Sequence, residues 1–158
     1  MLTLITVGKL KEKFYSSAVE EYEKRLRAYG GIRIIELPEV KLPENPSPAQ
    51  IAAGLKKEGE MVREKRPKNC WFCVLTPEGK ELSSEALAQQ LEKVRSGGKN
   101  ELCFLIGSSF GMDESLKKEA DFRLSMSPMT FPHHLARVMV LEQLYRAESI
   151  LSGSKYHK

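Results

Sequence analysis

Short apolar runs alternate with amphipathic segments along the chain. The runs Leu2–Val7 and Ile32–Leu37 are dominated by aliphatic and β-branched residues, which predicts two strands. Between them, apolar residues recur at spacings of four and three, and this period predicts a helix that ends at the glycine pair 30–31. The apolar face of that helix consists of Phe14, Ala18, Tyr22, Leu26 and Tyr29.

The middle of the chain continues this alternation. Ser47, followed by a proline and then by Gln50, has the pattern of a capped helix, which we expect to extend to about Lys65. The nearly continuous apolar run 70–76 predicts a central strand that is covered on both faces. Proline and glycine at 77–80 predict a turn directly after that strand.

The remaining elements complete an α/β pattern. They are a helix from Ser83 to the glycine pair 97–98, a strand at 101–106, a short helix near Asp113, a strand at 122–125 and a long helix over 133–152. Strands separated by helix-length segments predict a mainly parallel sheet flanked by helices on both sides. In such a sheet, ligands bind beyond the carboxyl ends of the strands.

Length and composition restrict the class of protein. With 158 residues, 41% of them hydrophobic and 29% charged, the chain has the size and composition of one globular domain, which we expect to span 1–158. It contains no apolar run of the roughly 20 residues that a membrane crossing needs. The N-terminal segment lacks the features of a secretory signal, so we expect a cytoplasmic protein without a membrane partner.

The cysteines and histidines do not predict a metal site. Cys70 and Cys73 lie three apart in a predicted strand, where their side chains point to opposite faces, so we expect both of them and Cys103 to be buried free thiols. His133 and His134 are adjacent and have no acidic or cysteine partner at helical spacing. We therefore expect no metal.

Basic residues cluster in two places. The net charge of +4 permits a nucleic-acid partner without requiring one. Lys9, Lys11 and Lys13 follow the first strand and form either a phosphate-facing patch or a solvated face. The C-terminal part offers phosphate contacts and a stacking ring if the tail folds back, and a frayed terminus otherwise; its candidates are Arg137, Arg146, Lys155, Tyr156, His157 and Lys158.

Two loops are candidate ligand sites. The loop from Gly107 to Gly111 is either an ordinary turn or a place where a ligand approaches the backbone, and it lacks the lysine of a Walker loop. The segment 124–133 has two prolines that prevent regular structure, and Met126, Met129 and Phe131 are too apolar for a freely solvated loop. It packs either on the protein's own core or on a flat apolar ligand such as a nucleobase. His133, at the start of the last helix, is either a structural residue or a titrating group with a lowered pKa.

These same stretches resemble a known family. They are VGKLKEK at 7–13, EYEKRL at 21–26, LIG at 105–107 with Gly111, MTFPH at 129–133, EQLYRA at 142–147 and YHK at 156–158. In order and spacing the chain is similar to the ribosomal RNA large subunit methyltransferase H family, of the SPOUT class of knotted methyltransferases. The resemblance implies a C-terminal deep trefoil knot within a cofactor-binding region at roughly 70–158, and a homodimer. It also implies methyl transfer from S-adenosyl-L-methionine to N3 of a pseudouridine in 23S ribosomal RNA, on the assembled ribosome.

The resemblance also implies site residues. The cofactor contacts would fall on Leu75, Gly107, Ser127, Pro128, Met129, Thr130, Phe131 and Pro132. A side chain at Gly107 is expected to block the cofactor while leaving the fold intact. Ser108 departs from the family, since many relatives have glycine there, and a positive φ would strain it.

Catalysis and RNA binding are expected near the tail. The proton acceptor is His157 or His133, and Arg146 and Lys158 offer positive charge to the uracil oxygens. RNA contacts are expected from Lys9, Lys11, Arg137, Lys155 and Tyr156. The alternative is a non-catalytic RNA-binding or ribosome-associated module, which has no need of a cofactor loop. A small nucleotide hydrolase is disfavoured by the absent loop lysine.

Overall fold

The fold is an alternation of strands and helices, as the sequence predicts. A computed structural model describes residues 1–157, and these form β1 (Leu2–Val7), α1 (Lys13–Leu26) with a 3₁₀ turn (Arg27–Tyr29), β2 (Ile32–Leu37), α2 (Pro48–Lys65), β3 (Trp71–Glu81), α3 (Ser84–Ser96), β4 (Leu102–Ile106), α4 (Glu114–Glu119), β5 (Phe122–Ser125) and α5 (His133–Leu151). No helix within this range is both long and apolar enough to cross a membrane.

The five strands form one parallel sheet. Their order is β2-β1-β4-β3-β5, and every neighbouring pair is parallel. The prediction of an α/β fold with a parallel sheet flanked by helices is therefore confirmed. Because the strands run in one direction, all of them end at the same edge of the sheet. We call this edge the carboxyl edge; the residues that follow the strands there include Gly8, Gly107 and Met126.

Helices cover both faces of the sheet. On one face, α1, α3 and α5 pack over a core that includes Cys73 and Phe104. On the other, α2 and α4 pack over a smaller core that includes Phe72, Cys70 and Cys103. The three cysteines are buried and free, and Cys70 and Cys73 lie on opposite faces, as the alternation of a strand requires.

The predicted turn at 77–80 is wrong, because β3 continues through it to Glu81. The strand pairs with β5 before and after an irregularity: Leu75 and Lys80 both lie opposite Leu124. Gly79 lets this segment approach β5 closely, since a Cβ atom there would lie 2.7 Å from the main-chain carbon of Leu124. Proline and glycine here form a bulge inside a strand rather than a turn that ends it.

Two serine caps fix where helices begin. The Ser47 hydroxyl accepts from the Gln50 N–H while the Gln50 side chain accepts from the Ser47 N–H, which is the reciprocal capping box that the sequence predicts. The Ser83 hydroxyl likewise accepts from the Ala86 N–H at the start of α3.

A buried arginine joins α5 to the carboxyl edge. Arg137 is 1% exposed, and its guanidinium donates to the Gly8 carbonyl at 2.9 Å and to a Glu36 carboxylate oxygen at 2.5 Å. Gly8 has a φ of 107° and its N–H donates to the Leu37 carbonyl, so the ends of β1, β2 and α5 meet at this one side chain. Such burial does not fit the expected contact between Arg137 and RNA, because the guanidinium is enclosed by the fold and hydrogen-bonded within it.

We expect Arg137→Ala to lower the free energy of unfolding by about 2–4 kcal/mol. The substitution leaves a cavity, removes two charge-assisted hydrogen bonds and leaves the buried Gly8 carbonyl without its donor. Urea denaturation measures the change, and Arg27→Ala, at an exposed arginine of the 3₁₀ turn, is the matched control. Equal stability of the two variants would contradict the role assigned to Arg137.

Candidate functional site

The loop after β4 is closed tightly on itself. The Ser108 N–H donates to the Gly111 carbonyl and the Gly111 N–H donates to the Ser108 carbonyl, both at 2.9 Å. Gly111 has a φ of 89°, and a Cβ atom on Gly107 would lie 2.7 Å from the Gly111 carbonyl carbon. This revises the expectation for Gly107: a side chain there collides with the loop itself, so it would disturb the local fold as well as any ligand.

Ser108 is unstrained and hydrogen-bonded. Its φ is negative, and its hydroxyl donates to a carboxylate oxygen of Glu58 at 2.8 Å. The other oxygen of Glu58 accepts from the Val40 N–H at 2.9 Å. Burial raises the pKa of Glu58, and these two hydrogen bonds oppose the rise. The serine therefore anchors the loop to α2 instead of straining it.

The double-proline loop lies at the surface, where Pro128, Met129 and Thr130 are exposed. The Ser127 hydroxyl accepts from the Met129 N–H at 3.0 Å, which fixes the start of the loop. In the part of the chain that the structure describes, main-chain groups from 128 to 131 make no hydrogen bonds to other main-chain groups. Because the Met129 N–H donates to Ser127, the groups left for a ligand are the N–H groups of Thr130 and Phe131 and the carbonyls of this segment. Met126 packs against the core, but Met129 is 74% exposed. Of the two alternatives for this loop, packing on the protein's own core therefore holds for Met126 and not for Met129, whose side chain is open to a ligand.

His133 lies beside these loops at the start of α5. Its Nε2 atom is 3.5 Å from where a Cβ of Gly8 would stand. Burial, and next the charge of His134, lower the pKa of His133, so the neutral ring is favoured. The sequence predicts this direction from the helix dipole, whereas the structure gives burial as the largest cause. His134 itself faces Glu12, with 3.5 Å between Nδ1 and Oε2.

The C-terminal tail folds back onto α5 as far as residue 157. The Tyr156 hydroxyl donates to a Glu142 carboxylate oxygen at 3.0 Å, and its ring meets the edge of Tyr145 at a centroid distance of 4.7 Å. The Arg146 guanidinium lies 4.7 Å from the centroid of the Tyr156 ring. A frayed terminus is therefore not what this part of the tail forms. The expected site residue Lys158 lies outside the described residues.

His157 is held between a carboxylate and a guanidinium. Its Nε2 is 2.7 Å from Glu85 Oε1, and its Nδ1 is 3.3 Å from Arg146 Nη1. A guanidinium only donates, so Nδ1 accepts, and Nε2 must carry the hydrogen that points to Glu85. The hydrogen bond from His157 lowers the pKa of Glu85, which keeps the carboxylate ionised. The arrangement selects one neutral tautomer of His157.

The two candidate proton acceptors are far apart in one chain. His157 contacts Arg146, which lies thirteen residues after His133 on the same helix, and thirteen residues of α-helix span about 20 Å. The carboxyl-edge loops and His133 thus form one group of residues, and Arg146, Tyr156 and His157 form another. The chain folds both groups but does not bring them together.

Of the expected RNA contacts, Lys9, Lys11 and Lys155 are exposed, and Tyr156 is half-buried against α5. Sequence reasoning missed Glu142 and Glu85 as members of the tail site. Glu142 and Arg146 are paired at i,i+4, a spacing that the sequence shows. Glu85 lies 72 residues before His157 and has no such signal. Among residues 1–157, no cluster of histidine, cysteine and acidic side chains could hold a metal ion.

Comparison with known proteins identifies the family. The family model described as "Predicted SPOUT methyltransferase" matches residues 1–157. The chain belongs to the SPOUT methyltransferase family. It is 43% identical over 157 residues to a protein of Alkaliphilus oremlandii and 44% identical over 157 residues to one of Moorella thermoacetica, each named ribosomal RNA large subunit methyltransferase H. These alignments cover 99% of this chain and 99% and 98% of the two relatives.

Similarity to a solved structure supports the fold alone. The structure titled as that of a "probable methylase family protein" from Haemophilus influenzae Rd KW20 superimposes with a TM-score of 0.53 at 11% identity, covering 99% of this chain and 70% of that one. At this identity the likeness concerns backbone architecture, and the functional argument depends on the closer relatives and on the site geometry.

We expect Glu85→Ala to release His157 into a mixture of its two neutral tautomers. The carboxylate is the acceptor that holds the hydrogen on Nε2, and alanine offers none. Long-range ¹H–¹⁵N NMR of the imidazole measures the tautomer, and Glu85→Gln, which keeps an acceptor oxygen, should retain more of the Nε2–H form.

Glu92→Ala is the matched control, because Glu92 is an exposed carboxylate on the same helix. If Glu85→Ala leaves the His157 tautomer unchanged, the carboxylate does not select it.

Proposed function

We propose that this SPOUT methyltransferase transfers a methyl group from S-adenosyl-L-methionine to N3 of a pseudouridine in 23S ribosomal RNA, on the assembled ribosome in the cytoplasm. The observation that carries the proposal is the end-to-end similarity to relatives named ribosomal RNA large subunit methyltransferase H. The order of the tail against α5 supports it, because that order places an imidazole, a guanidinium and a phenol in one cluster.

The carboxyl-edge loops suit the cofactor. The N–H groups of Thr130 and Phe131 and the carbonyls of 128–131 bond to no other main-chain group and offer donors and acceptors for an adenine edge, and half-buried Leu75 and Phe131 offer apolar surface. The closed loop at Gly107 and the hydrogen bond at Ser127 hold these groups in place. We assign the cofactor contacts to Leu75, Gly107, Ser127, Pro128, Met129, Thr130, Phe131 and Pro132. S-adenosyl-L-methionine, when bound, supplies an activated methyl group on a sulfonium.

The tail residues suit the other half of the reaction. N3 of a pseudouridine becomes a nucleophile only as its proton leaves, and the negative charge then spreads onto the uracil oxygens. Arg146 and Lys158 are assigned to stabilise that charge. With its hydrogen held on Nε2 by Glu85, His157 has its basic lone pair on Nδ1, and this atom is the proton acceptor once Arg146 turns to the uracil.

His133 is the competing candidate for proton acceptor. Its ring is kept neutral by burial, so it has a free lone pair near neutral pH, and it lies at the same edge of the sheet as the cofactor loops. His157 is preferred because it contacts Arg146 and precedes Lys158 directly in sequence, and these are the two groups assigned to the uracil oxygens. If the tail can be deleted without loss of activity, His133 and not His157 is the preferred proton acceptor.

The separation of the two groups points to a shared site. About 20 Å of α5 lies between His133 and Arg146, so a single chain cannot apply its tail to the cofactor at its own carboxyl edge without unfolding the tail contacts. A symmetric homodimer solves this if the tail of one subunit reaches the cofactor loops of the other. We further propose that the region of roughly 70–158 forms the trefoil knot typical of the SPOUT class.

Purified protein tests the proposal directly. Ribosomes from cells that lack this protein, incubated with the enzyme and labelled S-adenosyl-L-methionine, should gain one methyl group on a pseudouridine of 23S ribosomal RNA. A non-catalytic RNA-binding or ribosome-associated module predicts no saturable heat in isothermal titration with S-adenosyl-L-methionine and no incorporation of label. If both results are found, the protein is a non-catalytic RNA-binding module and not the proposed enzyme.

We expect deletion of residues 156–158 to abolish methyl transfer while S-adenosyl-L-methionine still binds. The deletion removes positioned acid-base and charge-stabilising groups, whose loss typically costs about two to four orders of magnitude in rate, but it leaves the carboxyl-edge loops intact. Single-turnover methyl transfer and isothermal titration measure the two effects separately.

Lys93→Ala, at an exposed lysine of α3 that has no assigned role, is the control and should retain the transfer rate. Full activity of the deletion variant would show that the tail takes no part in the reaction, and His133 would become the preferred proton acceptor.

A further inference from the structure

A row of aromatic rings runs from the surface to the carboxyl edge. Phe14 and Tyr15 have centroids 4.3 Å apart, Tyr15 and His134 are 6.1 Å apart, and His134 and His133 are 4.2 Å apart. These spacings are those of interacting rings. The row ends at His133 beside Gly8, at the edge where the cofactor loops lie. Its outer end, Phe14, is 66% exposed.

Three exposed lysines directly precede the exposed end of this row in the sequence. Lys9, Lys11 and Lys13 are all exposed, and none of them forms an ion pair with any residue from 1 to 157. Glu12, the acidic residue between them, faces His134. The surface formed by Lys9, Lys11, Lys13, Phe14 and Tyr15 therefore combines an uncovered aromatic face with positive charge. We call it the aromatic–lysine surface.

We propose that the aromatic–lysine surface binds unpaired nucleotides of RNA, with a base stacked on Phe14 and phosphates held by the lysines. An exposed phenylalanine gains stability when a flat apolar group covers it, and a base in a single strand has such a face free. Lysine ammonium groups supply contacts to the flanking phosphates. A base inside a duplex has no free face to offer, so the surface should prefer single strands.

The position of the aromatic–lysine surface suggests a role in positioning the substrate RNA, and this part of the inference rests on the proposed function. Nucleotides bound on Phe14 would follow the row of rings toward His133 and the cofactor loops. The surface would then hold the nucleotides that flank the target pseudouridine. The substrate implied is a loop of RNA rather than a helical stem.

A second copy of this chain is the competing occupant, and the charge argues against it. A two-fold interface centred on this surface would bring the lysines of two copies together, where like charges repel. An RNA strand instead neutralises them. The alternative nonetheless makes a distinct prediction, because covering Phe14 with protein would make the oligomeric state depend on Phe14.

Fluorescence anisotropy with a labelled ten-nucleotide single-stranded RNA tests the proposal without any methyl transfer. Phe14→Ala should weaken binding by about five- to a hundredfold, the range for losing one stacked base, whereas Phe14→Trp should retain or strengthen it. Phe14→Leu keeps an apolar side chain without an aromatic face, and it should resemble alanine. The same RNA annealed into a duplex should bind the wild-type protein more weakly.

The lysines are tested by the dependence on salt. Changing Lys9, Lys11 and Lys13 together to glutamine should reduce the slope of log affinity against log salt by about 2, at roughly 0.7 per phosphate contact of a single strand. The control changes Lys56 and Lys57, two exposed lysines of α2, to glutamine and should leave the slope nearly unchanged.

Two results would overturn the inference. Equal RNA affinity of Phe14→Ala and the wild type shows that the ring binds no base. A Phe14→Ala variant that dissociates in sedimentation experiments under conditions where Phe14→Trp does not shows that a second copy covers the surface. Because oligonucleotide binding is measured without cofactor, failure of methyl transfer and failure of the surface are separate outcomes.

Discussion

One buried guanidinium determines where the last helix meets the sheet. The desolvation penalty of burying the Arg137 guanidinium is offset by its hydrogen bonds to the Gly8 carbonyl and the Glu36 carboxylate, at the ends of two neighbouring strands. With that contact in place, α5 begins at the carboxyl edge beside the loops that follow the strands and runs away from that edge. Together with the buried apolar face of α5, which includes Leu141 and Leu144, this anchor positions the helix from His133 to Arg146.

The same geometry explains why the candidate site is divided. The loops after β4 and β5 and His133 gather at the carboxyl edge because all strands end there. The tail, in contrast, packs along the far part of α5, where Glu142, Arg146 and Glu85 hold it. The carboxyl-edge loops and the tail cluster are each preorganised in one chain. Bringing them together is the task that we assign to a second subunit.

Hydrophobic periodicity was sufficient for the strands and helices, because each element buries one side or both faces and its apolar spacing shows this. It failed at 77–80, where proline and glycine form a bulge that depends on the close approach of β5 to Gly79. It also failed for Arg137, whose burial depends on strand ends 101 and 129 residues away in sequence. The sequence likewise offered no indication of the hydrogen bond between His157 and Glu85, because the two residues are 72 positions apart. Local patterns predict elements, and such long-range polar contacts require the assembled fold.

We propose that this SPOUT methyltransferase modifies one pseudouridine of 23S ribosomal RNA and needs its tail to do so. The most direct test maps methylated nucleotides in 23S ribosomal RNA from three strains: cells without the protein, cells complemented with the full chain, and cells complemented with a chain ending at residue 155. The account predicts one N3-methylpseudouridine that is present only with the full chain. An identical methylation map in all three strains would contradict it.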